Sequence, residues 1–228
     1  MQKSNLPKPK LIKTILLLAF LLLTPTACSS AGGDRPDPAP LPEAMSFDAS
    51  STIYNLNPDA TEARFLIGEI LRGEPKIVVG STNQVIGQMA VNLEDLSTAA
   101  VGPIQVDART LLTDNGFRNR AIETRILLSR IFQYITFTPT AVIGLPDAAQ
   151  IGEPLEFQIA GDLSITDYTK PVVFDVTAMA VSGTRIEGSA ATTIQREDFN
   201  IFVPSATGVA GVEEDVILEL DFTAESAE

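Results

Sequence analysis

Residues 161–178, "GDLSITDYTKPVVFDVTA", alternate apolar and polar side chains on either side of a short polar turn. Leu163 and Ile165 fall on every second position, and Val172, Phe174, Val176 and Ala178 do so again beyond the turn. A period of two puts one set of side chains on one face of a strand. The stretch therefore predicts two strands with a shared apolar face, which must be covered by protein or by a ligand. The rhythm extends backwards through Leu155, Phe157, Ile159 and Gly161, opposite Glu156, Gln158, Ala160, Asp162 and Ser164.

The same pattern runs through most of the chain. Strands are predicted near residues 53–56, 63–70, 77–80 and 85–92, with an Asn-Pro-Asp turn between the first two. Ile104, Val106 and Ala108 share a face. "YITFTPTAVIG" predicts a strand in which Pro139 marks an edge or a bulge. "TRIEGSAATTIQ" is a weaker strand of small residues, and "EDVILELDFTAE" ends the chain with Val216, Leu218, Leu220 and Phe222 on one face. The period changes once. In residues 115–132, Phe117, Ala121, Ile122, Ile126 and Leu128 follow a helical spacing. Eight or more strands joined by short turns, with one helix, imply an all-β fold of antiparallel sheet with one wet face. A sandwich and a closed barrel both satisfy this; an eight-stranded barrel is filled by side chains or holds one small ligand.

Composition narrows the chemistry. The chain has 228 residues and no histidine. That removes the usual general base at neutral pH, the Ser-His-Asp triad and most transition-metal sites. The single cysteine allows neither an internal disulfide nor a cysteine-based zinc site. Formal charge is −13, and the first 27 residues hold four lysines and no acid, so the rest carries about −17. Such a chain is repelled by nucleic acid and by anionic surfaces. No enzyme is expected.

The N-terminus has its own pattern. Lys3, Lys8, Lys10 and Lys13 precede an apolar run at residues 15–23, too short for a membrane span and suited to a signal-peptide core. "TPTAC" follows, and a small residue before a cysteine at this place resembles the lipobox of bacterial lipoproteins. That resemblance implies acylation of Cys28 and a signal peptide of residues 1–27. Pro25 stands where a Leu-like residue is usual, and an ordinary cut near Ala27 or Ala31 is the alternative. Residues 28–45 are rich in Pro, Gly and small polar residues, as expected of a flexible tether. The domain is then residues 46–228.

Other polar groupings are weak. Asp162, Asp167 and Asp175 read as turn and surface acids. Residues 213–215, "EED", lack the spacing of a calcium loop. Arg118, Arg120, Arg125 and Arg130 in the helical segment could meet a phosphate or headgroup, or simply form a solvated face paired with acids.

Six segments, in order, resemble the YceI-like, polyisoprenoid-binding family: "YNLNPDATEARF", "VDARTLLTDNGFRNRAI", "YITFTPTAV", "GDLSITDYTKPVVFDV", "REDFNI" and "VILELDFTA". Together they span about residues 52–224. The resemblance implies an extended lipocalin-like antiparallel eight-stranded β-barrel, in an exported or periplasmic protein whose apolar interior holds a long isoprenoid chain. The chain departs from the family pattern at Asn57 and Ala60, where Asp and His are usual, and at Asn200, where Gly is usual. The expected lipid-binding lining is Phe65, Ile67, Val106, Phe137, Phe157, Ile159, Leu163, Ile165, Phe174, Val176, Leu218 and Leu220. No cofactor is expected beyond a bound polyisoprenoid or isoprenoid quinone. The expected partners are that lipid and, through Cys28, the membrane at the periplasmic or cell-surface side. A homodimer is left open. The competing reading is an interaction module whose barrel core is filled and binds nothing.

Overall fold

The computed structural model describes residues 49–226. The expected signal peptide, Cys28 and the tether lie outside them. The described residues all fall within one compact unit. The strands are β1 (Thr52–Leu56), β2 (Glu62–Leu71), β3 (Glu74–Thr82), β4 (Val85–Ile86), β5 (Gln88–Val91), β6 (Ala100–Val101) and β7 (Ile104–Asp107). They continue as β8 (Leu112–Thr113), β9 (Tyr134–Ile143), β10 (Pro154–Ile165), β11 (Tyr168–Ser182), β12 (Arg185–Gln195), β13 (Val209–Ala210) and β14 (Asp215–Ser226). A helix, α1 (Gly116–Ala121), lies between β8 and β9.

All pairings are antiparallel, and the order runs β4-β7-β9-β10-β11-β12-β14-β1-β5-β6, with β2 also on β14 and β3 on β2. The sheet curls, and its order returns to its start. Val85 pairs with Val106 of β7, while Gln88 pairs with Asn55 of β1. Gly87 is where the chain changes partner. A Cβ there would lie 3.0 Å from Ile104 and 3.2 Å from Leu56, so only glycine lets the two strand ends come together without a shift. The all-β antiparallel class is as expected, but the strand count differs from eight. The described residues form fourteen strand segments, several of them short pieces of interrupted strands.

One interruption separates β1 from β2, which lie end to end on β14. Between them Pro58–Ala60 forms a single turn, begun by the Asn57 side chain accepting from Asp59 N. Asn57 N still donates to Thr223 O at 2.8 Å, but the gap leaves Thr223 N without a backbone acceptor. Buried Thr61 supplies one from its side chain: its Oγ1 accepts from Thr223 N at 3.3 Å and donates to Thr223 O at 3.4 Å. A second irregularity falls where Pro139 predicts it. The β9–β10 register shifts between Ala160 and Gly161, opposite Thr140, beyond the last β7–β9 pair.

The helical prediction needs correction. α1 is only six residues long, started by Asn115 Oδ1 accepting from Phe117 N and Arg118 N. The chain then widens over Ile122–Ile126, with Leu127 N donating to Ile122 O. One extra residue in the turn moves the buried stripe, so Leu127 packs inward and Leu128 is exposed, and Phe117, before the turn, is exposed too. Ala108 also leaves its predicted strand, because Asp107 caps a short turn at Ala108–Thr110.

Candidate ligand cavity

The strand registers fix two ends. At one lie the β10–β11 turn, α1, and the segment after β12. At the other lie the start of β1, the β11–β12 turn, and the loops of residues 92–99 and 144–153.

The first end is packed shut. Ala108, Leu111, Ile122, Leu127, Leu163, Ile165, Ile194 and Phe199 form one buried cluster. Ion pairs hold the cap segment to the sheet. Arg118 donates to buried Glu69 of β2 at 2.8 Å and to Asp114 at 2.6 Å. Lys76 of β3 donates to Asp114 at 2.5 Å, and with Arg118 it holds that carboxyl below the usual range. Arg109 pairs with buried Asp107 at 2.7 Å and lies over the Tyr134 ring.

The second end is closed by the two loops alone. Leu96 N donates to Asp147 O at 2.8 Å, and Ala149 N to Leu93 O at 2.9 Å. Within residues 92–101 and 144–153, Leu96 is the only buried apolar side chain.

Between the ends is a cavity of about 220 Å³. Its lining is apolar almost throughout. Ten of the twelve residues predicted for a lipid site line it: Phe65, Val106, Phe137, Phe157, Ile159, Leu163, Phe174, Val176, Leu218 and Leu220. The other two do not. Ile165 is buried in the cluster at the packed end. Ile67 pairs with Val216, which packs against that same cluster, so it lies past the cavity on the same strand face.

Local rules place the aromatic side chains. Phe65 lies across Gly80 on β3, and a Cβ there would come within 2.2 Å of its ring. Phe222 lies likewise across Gly188 on β12, at 2.7 Å. An aromatic ring over a cross-strand glycine covers exposed backbone and fills the pleat. Phe137 and Phe174 meet edge to face, with centroids 4.9 Å apart.

The cavity also has lining that alternation did not mark. Met89, Val91 and Val101 come from short strands, and Leu93, Leu96, Leu145 and Ala149 from the two loops. Ala60, the position of the family histidine, is exposed and does not line the cavity. Asn200 adopts φ 51° and ψ 32°, the left-handed region that glycine or asparagine tolerates, which accounts for the substitution there. Asp162, Asp167 and Asp175 are exposed, and Asp175 accepts a hydrogen bond from Gln158. A second depression of about 540 Å³ lies outside the cap. It is roomier but lined largely by polar and charged groups, so it does not suit an apolar chain.

The profile of the YceI-like domain matches residues 54–224. Among solved structures, a polyisoprenoid binding domain from Saccharophagus degradans is 13% identical with TM-score 0.60, covering 76% of this chain and 98% of that one. Burkholderia cenocepacia BcnA is 14% identical with TM-score 0.58, covering 74% and 98%. The YCEI protein of Campylobacter jejuni is 16% identical with TM-score 0.50, covering 63% and 82%. None of the curated proteins matches the chain. At these identities the likeness concerns the fold.

Proposed function

The chain belongs to the family of YceI-like domains, and from that premise we propose that it binds a long isoprenoid lipid, a polyprenyl or quinone tail, in the interior of its barrel. It carries or sequesters that lipid outside the cytoplasm, and Cys28 anchors it to a membrane. The observation that carries the reading is the apolar cavity between the packed cap and the paired loops. It exceeds an engineered apolar cavity of roughly 150 Å³ that stays dry and takes up benzene. A filled barrel core has no such space, so the cavity favours a ligand over the interaction module. The relative from Saccharophagus degradans is a polyisoprenoid binding domain, which supports the same class of ligand.

The energetics ask little of specific groups. Each buried CH₂ contributes roughly 0.8 kcal/mol, offset in part by association and ordering costs. An apolar tunnel is therefore enough without any catalytic or metal group, and the role is binding. The anchor rests on Cys28 after a short apolar run; two or more acyl chains hold a membrane stably where one does not. The test is mass spectrometry of an organic extract from folded residues 29–228, made in a host rich in quinones and polyprenyl lipids. Stoichiometric isoprenoid is the expected result. An extract free of it, even after loading with a quinone, would leave the cavity without this ligand. Export and acylation are tested separately, by the mass of the mature N-terminus and its loss on Cys28→Ser.

A further inference from the structure

The outer surface of the packed cap differs from the rest of the molecule. Three large apolar side chains point into solvent there: Phe117 is 89% exposed, Ile131 73% and Leu112 62%. Residues 115–132 hold four arginines and one glutamate, a net +3 in a chain that carries about −17 beyond its first 27 residues. They account for four of the twelve Lys and Arg residues left after residue 27. Two of the four are neutralised: Arg118 by Glu69 and Asp114, Arg130 by Glu123 at 2.6 Å. Arg120 and Arg125 are exposed and make no ion pair among the described residues. The open depression outside the cap is lined by Leu112, Arg120, Glu123 and Arg130, and Phe117 and Ile131 adjoin its lining residues in sequence.

We infer that this face docks on an anionic lipid bilayer. Exposed aromatic and aliphatic side chains next to unpaired guanidiniums match the interfacial zone, where apolar groups enter the acyl boundary and cations meet headgroup phosphates. The net negative charge of the molecule does not prevent it. At physiological salt, charges farther than about 8 Å are largely screened, so the sign of the local patch decides. Nor does the proposed anchor. β1 begins at the loop end, but residues 29–51 reach about 75 Å when extended, against roughly 40 Å for the twelve residues of β10. The inference is independent of what the cavity holds.

The chain contains no tryptophan, so a single introduced one reports on its site. All described strands and both apolar clusters fall within residues 49–226, inside one compact unit. Residues 29–228 therefore fold without leader or anchor. Phe117→Trp in this protein is mixed with vesicles of phosphatidylcholine alone, or with about a third phosphatidylglycerol. The expected result is a blue shift with the anionic vesicles only, abolished by high salt. Adding Arg120→Gln and Arg125→Gln weakens partitioning about 25-fold, near fivefold for each arginine. Ile151→Trp, at the loop end, stays unshifted. A shift at Ile151→Trp without one at Phe117→Trp, equal binding to both vesicles, binding untouched by the arginine changes, or no binding would each overturn the inference. Lipid extraction on the same preparations reads the cavity separately.

Discussion

The two ends of the barrel are closed by different means. At the cap end, side chains interlock: Ile122, Leu127 and Phe199 are buried together, and Arg118 ties the helical segment to Glu69. At the loop end, two backbone hydrogen bonds join residues 92–99 to residues 144–153, and one leucine is buried. Opening the cap exposes a whole apolar cluster and breaks a largely buried ion pair. Opening the loops breaks two hydrogen bonds, each with a net value of about 1 kcal/mol. Local opening is cheapest where buried apolar contacts are fewest. The loop end is therefore the end that opens more readily, which makes it the entry side for the proposed ligand, and the cap is the fixed floor.

That contrast can be broken most forcefully from the cap. Phe199→Ala removes a side chain that is 1% exposed, and we expect a loss of about 3–5 kcal/mol in denaturant unfolding. A loss below 1 kcal/mol would show that the floor is not packed as described. Arg118→Leu leaves the Glu69 carboxylate buried without its partner. The expected cost is roughly 3 kcal/mol, the lower end for breaking a buried pair, because the arginine is partly exposed. The double variant with Glu69→Leu should recover much of it.

At the loop end the effects on stability are smaller. Buried Tyr54 donates to Gly183 O at 2.8 Å in the β11–β12 turn, and Tyr54→Phe should cost about 1 kcal/mol. Burial raises the phenol above its usual value, and a hydrogen bond with Thr52 partly opposes this. A group with a raised folded-state pKa stabilises fully below its unfolded value, near 10, and the contribution is lost as pH rises through the folded value. Stability of the native protein should therefore fall above about pH 10, and Tyr54→Phe should flatten that limb. An unchanged alkaline limb would locate the loss elsewhere. The smallest effect on stability belongs to Leu145→Ser, a half-buried side chain facing the cavity from the loop. It should shift unfolding by less than about 1 kcal/mol, yet speed the release of a fluorescent prenyl ligand. Release at the native rate would argue against the loops as the gate.

Much of the wall was legible in the sequence because a period of two is a property of the strand itself. Leu155, Phe157, Ile159 and Leu163 read as one face and share the cavity lining. Alternation cannot say where along a face the cavity stops, and so Ile67 and Ile165, correct in phase, lie beyond it. Nor can it reach Leu93, Leu96, Leu145 and Ala149, which act from loops with no period. The cap was the hardest part to read. Its apolar residues suggest one continuous helix, but the wide turn at Ile122–Ile126 adds a residue and turns Leu128 outward. Only the pairing of both flanks of Gly87 with different strands reveals how the ring closes.

The central claim is that the barrel interior is a lipid cavity. The most direct test compares the stoichiometry with which a long-chain isoprenoid quinone binds the native protein and a variant whose cavity is filled. Ala178 and Ala190 both line the space, so Ala178→Phe with Ala190→Leu occupies it without touching the cap. The account predicts one quinone per native chain and a loss of binding in the filled variant, with the fold intact by circular dichroism. Equal binding by a folded, filled variant, or none by the native protein, would contradict it.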